Sequence, residues 1–394
     1  MPGVRCNTEV ILTANNVFRQ NHHQPQLEAE SQAVQMFCMF WKDHAECPLL
    51  GRNLLLQNVC PQLQGLCMVK LALMLMLVGG EPQVSKNGQS RAELHMLLVG
   101  DPGTGKSQLM QYAAKLSPRG VISSGRGSSS AGLTVTAIKD GGQWALEAGA
   151  LILADGGVCC IDEFDGIKEA DKVSIHEVME QQTLSVAKAG LVTSLSTRTS
   201  VFGAMNPRGN PKDSVAEQTL LSGPLLSRFD ILLPVHDPKS SEADEVISEH
   251  ILTNHQLHRS SEPKSWDLMT MQQYLLWVKA TFHPELSNEA EEVLTGYYKL
   301  QRTAVDRTSS RTTVRMLESL VRSAQAHAKL MARQQVTLQD AVVAVSIAEA
   351  ASQVLGSGLE FNVGASFCDQ PDAAYEDEAQ YLLQAIRHLH SDSE

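Results

Sequence analysis

No apolar run of membrane-spanning length occurs in these 394 residues. The longest, Leu71 to Val78, is bounded by Lys70 and by Gly79-Gly80, well short of the roughly 20 residues that cross a bilayer, so no membrane span is expected. Residues 1–30 lack a basic segment followed by an apolar core, which reads against a secretory signal and for a loose, disordered arm. An intracellular compartment is the expectation. Cys-x-x-Cys spacing is missing among the eight cysteines, so neither a zinc module nor a disulfide framework is expected, and the thiols read as reduced, half-buried apolar residues. His22, His23, His95, His176, His388 and His390 lack the spacing that gathers metal ligands. Positive charge is short as well: 32 Lys and Arg stand against 44 Asp and Glu, a net charge of -12. That excludes a surface coated in cations, but not a narrow channel lined by a few of them.

What is present is organised in blocks. Over 31–94 apolar residues recur at helical spacing, with Phe37, Phe40, Trp41, Leu54 to Leu56 and the stretch Leu66 to Leu77, which predicts a helical lead-in. Four apolar runs follow. His95 to Val99 ends at a glycine-rich loop, Val158 to Ile161 at Asp162-Glu163, and Thr199 to Ala204 just before Asn206-Pro207, while Ile231 to Val235 follows Arg228-Phe229-Asp230. Helical stretches separate the runs, so 95–254 is expected to be a doubly wound α/β domain with a parallel sheet and a site along the strand C-termini. From Asp267 the strand signals vanish, and helices are predicted at 268–281, 288–302, 311–332 and 338–352. They make a helical lid over 267–355, its last helix opened by Thr337-Leu338-Gln339-Asp340, close to a capping box. Residues 356–394 read as an acidic tail with one helix near 373–389.

The glycine-rich loop is Gly100-Asp101-Pro102-Gly103-Thr104-Gly105-Lys106-Ser107, followed by Gln108. Its spacing wraps backbone N–H groups and a helix N-terminus around a polyphosphate, brings Lys106 to the β- and γ-phosphates and leaves the Ser107 hydroxyl for magnesium. ATP with Mg2+ is the expected ligand pair. Asp162 is suited to hold magnesium through water and Glu163 to activate the attacking water. Asn206 is either a partner for the γ-phosphate or lytic water, or a plain turn starter. Arg228 offers a planar charge to a transition state, or forms a surface ion pair. The stretch from Thr183 to Leu195 alternates around Lys188-Ala189-Gly190, as a hairpin would. Its Lys188 is a phosphate-backbone contact or an ordinary solvated turn lysine. A second projection is expected within 128–151, where Lys139-Asp140-Gly141-Gly142 makes a turn before Trp144.

With these residues in view, the chain resembles the ATPase core of the minichromosome maintenance (MCM) helicases, a branch of the AAA+ motors. The likeness runs from Phe40 to Ser352. It rests on Pro48 to Asn53, Cys60-Pro61-Gln62, the phosphate loop, Cys159 to Phe164, and Leu225-Leu226-Ser227-Arg228-Phe229-Asp230. Within the family, Ser130 to Thr136, Glu147 to Leu151 and Met179 to Gln182 are most similar to the ninth paralogue. The resemblance implies an AAA+ P-loop NTPase with β-hairpin insertions and a C-terminal helical lid, assembled as a homo-hexamer or with the eighth paralogue. In such a ring Lys106, Ser107, Asp162, Glu163 and Asn206 serve one subunit's nucleotide. Arg228 as arginine finger and Arg315, in Thr312-Thr313-Val314-Arg315, as sensor two come from the neighbour. Lys188 falls on the family's pre-sensor hairpin and Lys139 to Trp144 on its helix-two insertion, both facing single-stranded DNA in a central channel. A nuclear ATP-dependent helicase of homologous recombination and DNA repair is implied. The sequence departs from the family at Met205, where a small or hydroxyl residue is usual, and over Arg91 to His95, where Gly and Ser are usual. Family members also carry an oligonucleotide-binding collar with a zinc module ahead of the core, and residues 1–30 hold no zinc-ligand spacing. A second expectation therefore stands beside the motor: an ATP-binding regulatory or scaffold subunit.

Overall fold

The computed structural model describes residues 31–82, 84–85, 88–126, 130–140, 143–188, 191–207, 221–235, 266–303, 312–353, 365–368 and 370–391, with some of 241–252. The arm expected over 1–30 and Arg311 lie outside the described residues, as do the side chains of Trp144 and Lys188.

Three helices open the described chain: α1 (Ser31–Asp43), α2 (Pro48–Gln57) and α3 (Cys67–Val78). Pro48 opens α2, where a missing N–H costs nothing. Helix α3 is apolar on every side but Lys70, and ten of its twelve residues are buried, the pattern of a helix enclosed by its own fold. Then come β1 (Met96–Gly100), α4 (Lys106–Leu116), β2 (Gly120–Ser124), β3 (Val135–Asp140), β4 (Gln143–Ala148), β5 (Val158–Asp162), α5 (Glu169–Gln181), β6 (Thr183–Lys188), β7 (Leu191–Ser196), β8 (Ser200–Met205) and β9 (Ile231–Val235).

Five of these strands form one parallel sheet in the order β9-β1-β8-β5-β2. Strand periodicity sorts its side chains into two cores. Met96, Leu98, Cys160, Phe202, Ala204 and Leu233 face α3 and α4, whereas Leu97, Val99, Cys159, Ile161, Val201 and Leu232 face the α5 side. Strand β2 is the fifth strand, beyond the four apolar runs. It lies at the sheet edge with Ile122 half exposed, so it lacks the continuous apolar signature of a strand covered on both faces.

Two antiparallel hairpins project from this domain, β3–β4 with Asp140 opposite Gln143, and β6–β7 with Lys188 opposite Leu191. They match the two projections read from the sequence. Helices α6 (Leu268–Thr281), α7 (Asn288–Thr303), α8 (Val314–Leu330) and α9 (Leu338–Gln353) follow. The Thr337 N–H and hydroxyl both donate to Asp340 Oδ2 at 2.8 Å, which is the reciprocal half of a capping box. Strand pairing persists past Asp267 after all, as Glu285-Leu286 beside Gln335-Val336; two-residue strands carry no readable period. Among the described residues no helix is long and apolar enough to cross a membrane.

The described part of 356–394 contains the helix expected near 373–389 and packs on the lid. Helix α10 (Pro371–Ser391) places Ala379, Leu382 and Ile386 in the core shared by α7, α8 and α9. Asp372 accepts from the Leu49 and Leu50 N–H groups at 3.1 and 3.3 Å, capping α2 in place of Cys47, which makes no side-chain cap. Arg52, fully buried, donates to the Ser366 carbonyl at 3.0 Å and lies over the Phe367 ring.

Candidate nucleotide site

The phosphate loop joins β1 to α4 and is shaped by what glycine permits. A Cβ on Gly100 would lie 2.2 Å from the Val235 carbonyl oxygen, and Gly105, at φ +83°, has Leu63 against it; only glycine fits either place without strain. Lys106, almost fully buried, donates to the Gly100 and Asp101 carbonyls at 2.8 and 2.5 Å. Burial lowers its pKa, and Asp162 and Asp101 oppose that shift. The loop is closed by Thr104, whose hydroxyl donates to the Asp101 carbonyl at 2.9 Å. Pro102, Gly103, Ser107 and Gln108 are exposed.

At the end of β5, Asp162 Oδ2 accepts from the Ser107 hydroxyl at 2.7 Å and Oδ1 from the Glu163 N–H at 2.9 Å. A hydroxyl and a carboxylate at one point are the sparse hard-oxygen set that magnesium takes from a protein when phosphates and water complete its shell. The residues fit that ion. Glu163 turns left-handed, φ +50°, at a cost of about 1 kcal/mol. Its exposed carboxylate stands 3.8 Å from the Arg126 guanidinium, a cation that sequence reasoning missed. Asn206 is exposed one residue past Met205, which pairs level with Val99. Since β8 lies between β1 and β5, Asn206 stands between the phosphate loop and Asp162. Lys106, Ser107, Asp162, Glu163 and Asn206 thus share the edge where the parallel strands end.

Beside this edge Cys60, Gln62, Gln108, Tyr112, Lys115 and Trp266 line a cleft of about 320 Å³. Asn58 holds its walls together, accepting from the Tyr112 hydroxyl at 3.3 Å and from the Trp266 N–H at 3.1 Å.

Arg228 and Arg315 are elsewhere. Arg228 precedes β9, whose first residue Ile231 is level with Met96, the first of β1, so it lies at the edge where the strands begin. Five residues of strand, roughly 16 Å, separate that edge from the phosphate loop. There both arginines meet one carboxylate. Glu180, in the last turn of α5, takes Arg228 Nη2 on Oε2 and Arg315 Nη2 on Oε1. Burial works to raise the Glu180 pKa, but the Arg228 hydrogen bond and charge and the Arg315 charge hold it below its ordinary value.

Behind the pair lies a buried node. Asp230 binds Arg91 at 2.9 Å, Arg322 at 2.7 Å and the His95 N–H at 2.9 Å, and Arg91 also donates to the Met179 and Arg228 carbonyls. Burial raises the Asp230 pKa, and Arg91 with Arg322 outweighs it, holding the carboxyl well below the usual range. Burial, then Arg91, push His95 down to about 3, so its neutral ring accepts from the Val201 N–H through Nδ1 at 3.0 Å. Sequence reading marked Arg91 to His95 only as a departure from the family and left Glu180 inside a family motif without a role.

Lys139, exposed, is level with Trp144 near the end of one hairpin, and Lys188 closes a strand of the other.

Residues 50–255 match the MCM P-loop domain and residues 269–352 the MCM AAA-lid domain. The chain belongs to the MCM family. Its α/β domain and helical lid accordingly form an AAA+ fold, and its P-loop is the nucleotide-binding loop of that family. It is 51% identical over 382 residues to the probable DNA helicase MCM9 of Arabidopsis thaliana, covering 94% of this chain and 58% of the relative. With the protein of the same name from Oryza sativa subsp. japonica the identity is 50% over 98% of this chain and 59% of the relative. The minichromosome maintenance protein MCM of Saccharolobus solfataricus is 36% identical over 81% of this chain and 47% of its own length. The chain thus spans less than two thirds of the length of these MCM relatives.

Proposed function

We propose that this MCM chain is an ATP-dependent DNA helicase subunit whose ATPase centres form between neighbouring subunits of a ring. One observation carries the reading: the phosphate-binding and acidic groups occupy one edge of the sheet and the paired arginines the opposite edge, so each chain holds two unlike halves of a phosphoryl-transfer centre. Lys106 and the loop N–H groups grip the β- and γ-phosphates, and Ser107 with Asp162 holds magnesium, which when bound neutralises charge on the phosphate oxygens. Glu163 takes a proton from the attacking water, positioned with the help of Asn206, and Arg228 and Arg315 meet the γ-phosphate of the next subunit. The adenine base enters the cleft lined by Gln108 and Tyr112. Lys188 and Lys139 carry the hairpins that contact DNA in the channel. The ring is a homo-hexamer or contains the eighth MCM paralogue, works in the nucleus, and serves homologous recombination and repair of broken or crosslinked DNA. The similarity to proteins named probable DNA helicase MCM9 supports the helicase part of this reading.

The test is ATP hydrolysis by the purified chain, with and without single-stranded DNA and the eighth-paralogue partner. DNA-stimulated turnover lost in Lys106→Ala supports the motor. Turnover indifferent to DNA would sink it, and turnover absent even with partner and DNA would sink it and favour the regulatory subunit.

A further inference from the structure

We propose that Glu180 is a positioning residue, the clamp that presents Arg228 and Arg315 as one unit to a neighbour's phosphate. The inference rests on the interface reading above and adds a residue to it. The two guanidiniums come from different domains, Arg228 from the turn before β9 and Arg315 from the first turn of α8 in the lid. Each takes a separate oxygen of the same carboxylate.

Two facts make this more than a surface ion pair. A carboxylate in the last turn of a helix faces the negative end of the helix dipole, and α5 carries no basic residue in that turn; Glu180 is therefore stabilised there by the arginines it binds. Second, two like charges converging on one point repel, and a shared anion between them removes that repulsion and fixes their spacing. A planar fork pinned through one Nη keeps its remaining N–H groups free for a second anion. Glu180 leaves Arg315 in that condition, whereas Arg228 also donates through Nη1 to the Pro224 carbonyl at 2.5 Å and is fixed on its own turn as well; the shared carboxylate joins the lid to the P-loop domain at the same point.

The experiment compares ATP turnover by the full chain, assembled as above, for wild type, Glu180→Gln, Arg228→Ala and Lys106→Ala, alone and in one-to-one mixtures. Glu180→Gln is expected to lower kcat at least 10-fold and leave KM for ATP within twofold, because its own phosphate loop is untouched. Mixing it with Lys106→Ala restores turnover, since some interfaces join an intact loop from one chain to intact arginines from the other. A merely misfolded variant gains nothing on mixing. Wild-type or raised turnover in Glu180→Gln, or a loss that Lys106→Ala does not restore while it does restore Arg228→Ala, overturns the clamp and leaves the interface reading standing. Failure of the Arg228→Ala mixture as well overturns the interface reading itself. Independently of turnover, 15N spectra of the arginine side chains should show Arg315 with restricted guanidinium rotation in wild type and fast rotation in Glu180→Gln, while Arg228 keeps its Pro224 carbonyl contact; an unchanged Arg315 spectrum overturns the clamp.

Discussion

Lys106 and Asp230 are both buried charges, with opposite relations to stability. Lys106 is held by carbonyls of its own loop and is desolvated, so replacing it relieves a burial cost while removing the cation that phosphates need. Lys106→Ala should weaken ATP binding by roughly 100-fold, about 3 kcal/mol for a charge-assisted contact to phosphate, and leave the melting temperature unchanged or higher; titration calorimetry and thermal unfolding check the two halves. Asp230 is the opposite case. Asp230→Asn would strand Arg91 and Arg322 in the interior and should cost about 3 to 5 kcal/mol, read by urea unfolding at pH 7. Because the folded pKa of Asp230 lies below its unfolded value, its contribution is present above about pH 4 and lost as pH falls further. Stability of the wild type should therefore drop between pH 5 and 3 more steeply than that of Asp230→Asn.

At the scale of elements, legibility followed locality. The phosphate loop, β5 with its Asp162-Glu163 and both hairpins are written in consecutive residues, so spacing alone exposes them. Edge strand β2 escaped because half its side chains face solvent and it has no apolar run. The Glu180 clamp escaped because its partners lie 48 and 135 positions away, and no local pattern encodes such a meeting. The same holds for the packing of α10, read only as one helix in an acidic tail although its apolar stripe reaches the lid core. Asp372→Ala should destabilise the protein by about 1 kcal/mol through loss of the α2 cap, measured by urea unfolding. Glu378 on the same helix has its pKa raised to about 7 by burial, with Arg52 opposing. Its raised folded pKa means the stabilisation is full below about pH 4 and fades as pH rises through 7. Hydrogen exchange should find α10 better protected at pH 6 than at pH 8, and Glu378→Gln should remove the difference.

For the whole molecule, the net charge of -12 would limit how DNA is held under the proposed function. A few cations on two hairpins, and not a basic surface, would make the contacts, so the affinity for single-stranded DNA should fall only gently with salt. Removing Lys188 or Lys139 should each flatten the log–log salt slope by roughly one, measured by fluorescence anisotropy from low to moderate salt. A slope as steep as that of a broadly basic protein would exclude the hairpin reading.

The placement of the phosphate-loop residues and the paired arginines on opposite edges of one sheet also bears on which symmetries suit this chain. A twofold contact sets residue i against j and j against i, so it completes both centres at once only where the two edges lie in one shared surface. Edges that face apart are joined by a directional, head-to-tail contact, and repetition of such a contact either closes on itself or grows without end. A head-to-tail assembly stopped at two copies would leave one complete centre and two halves idle.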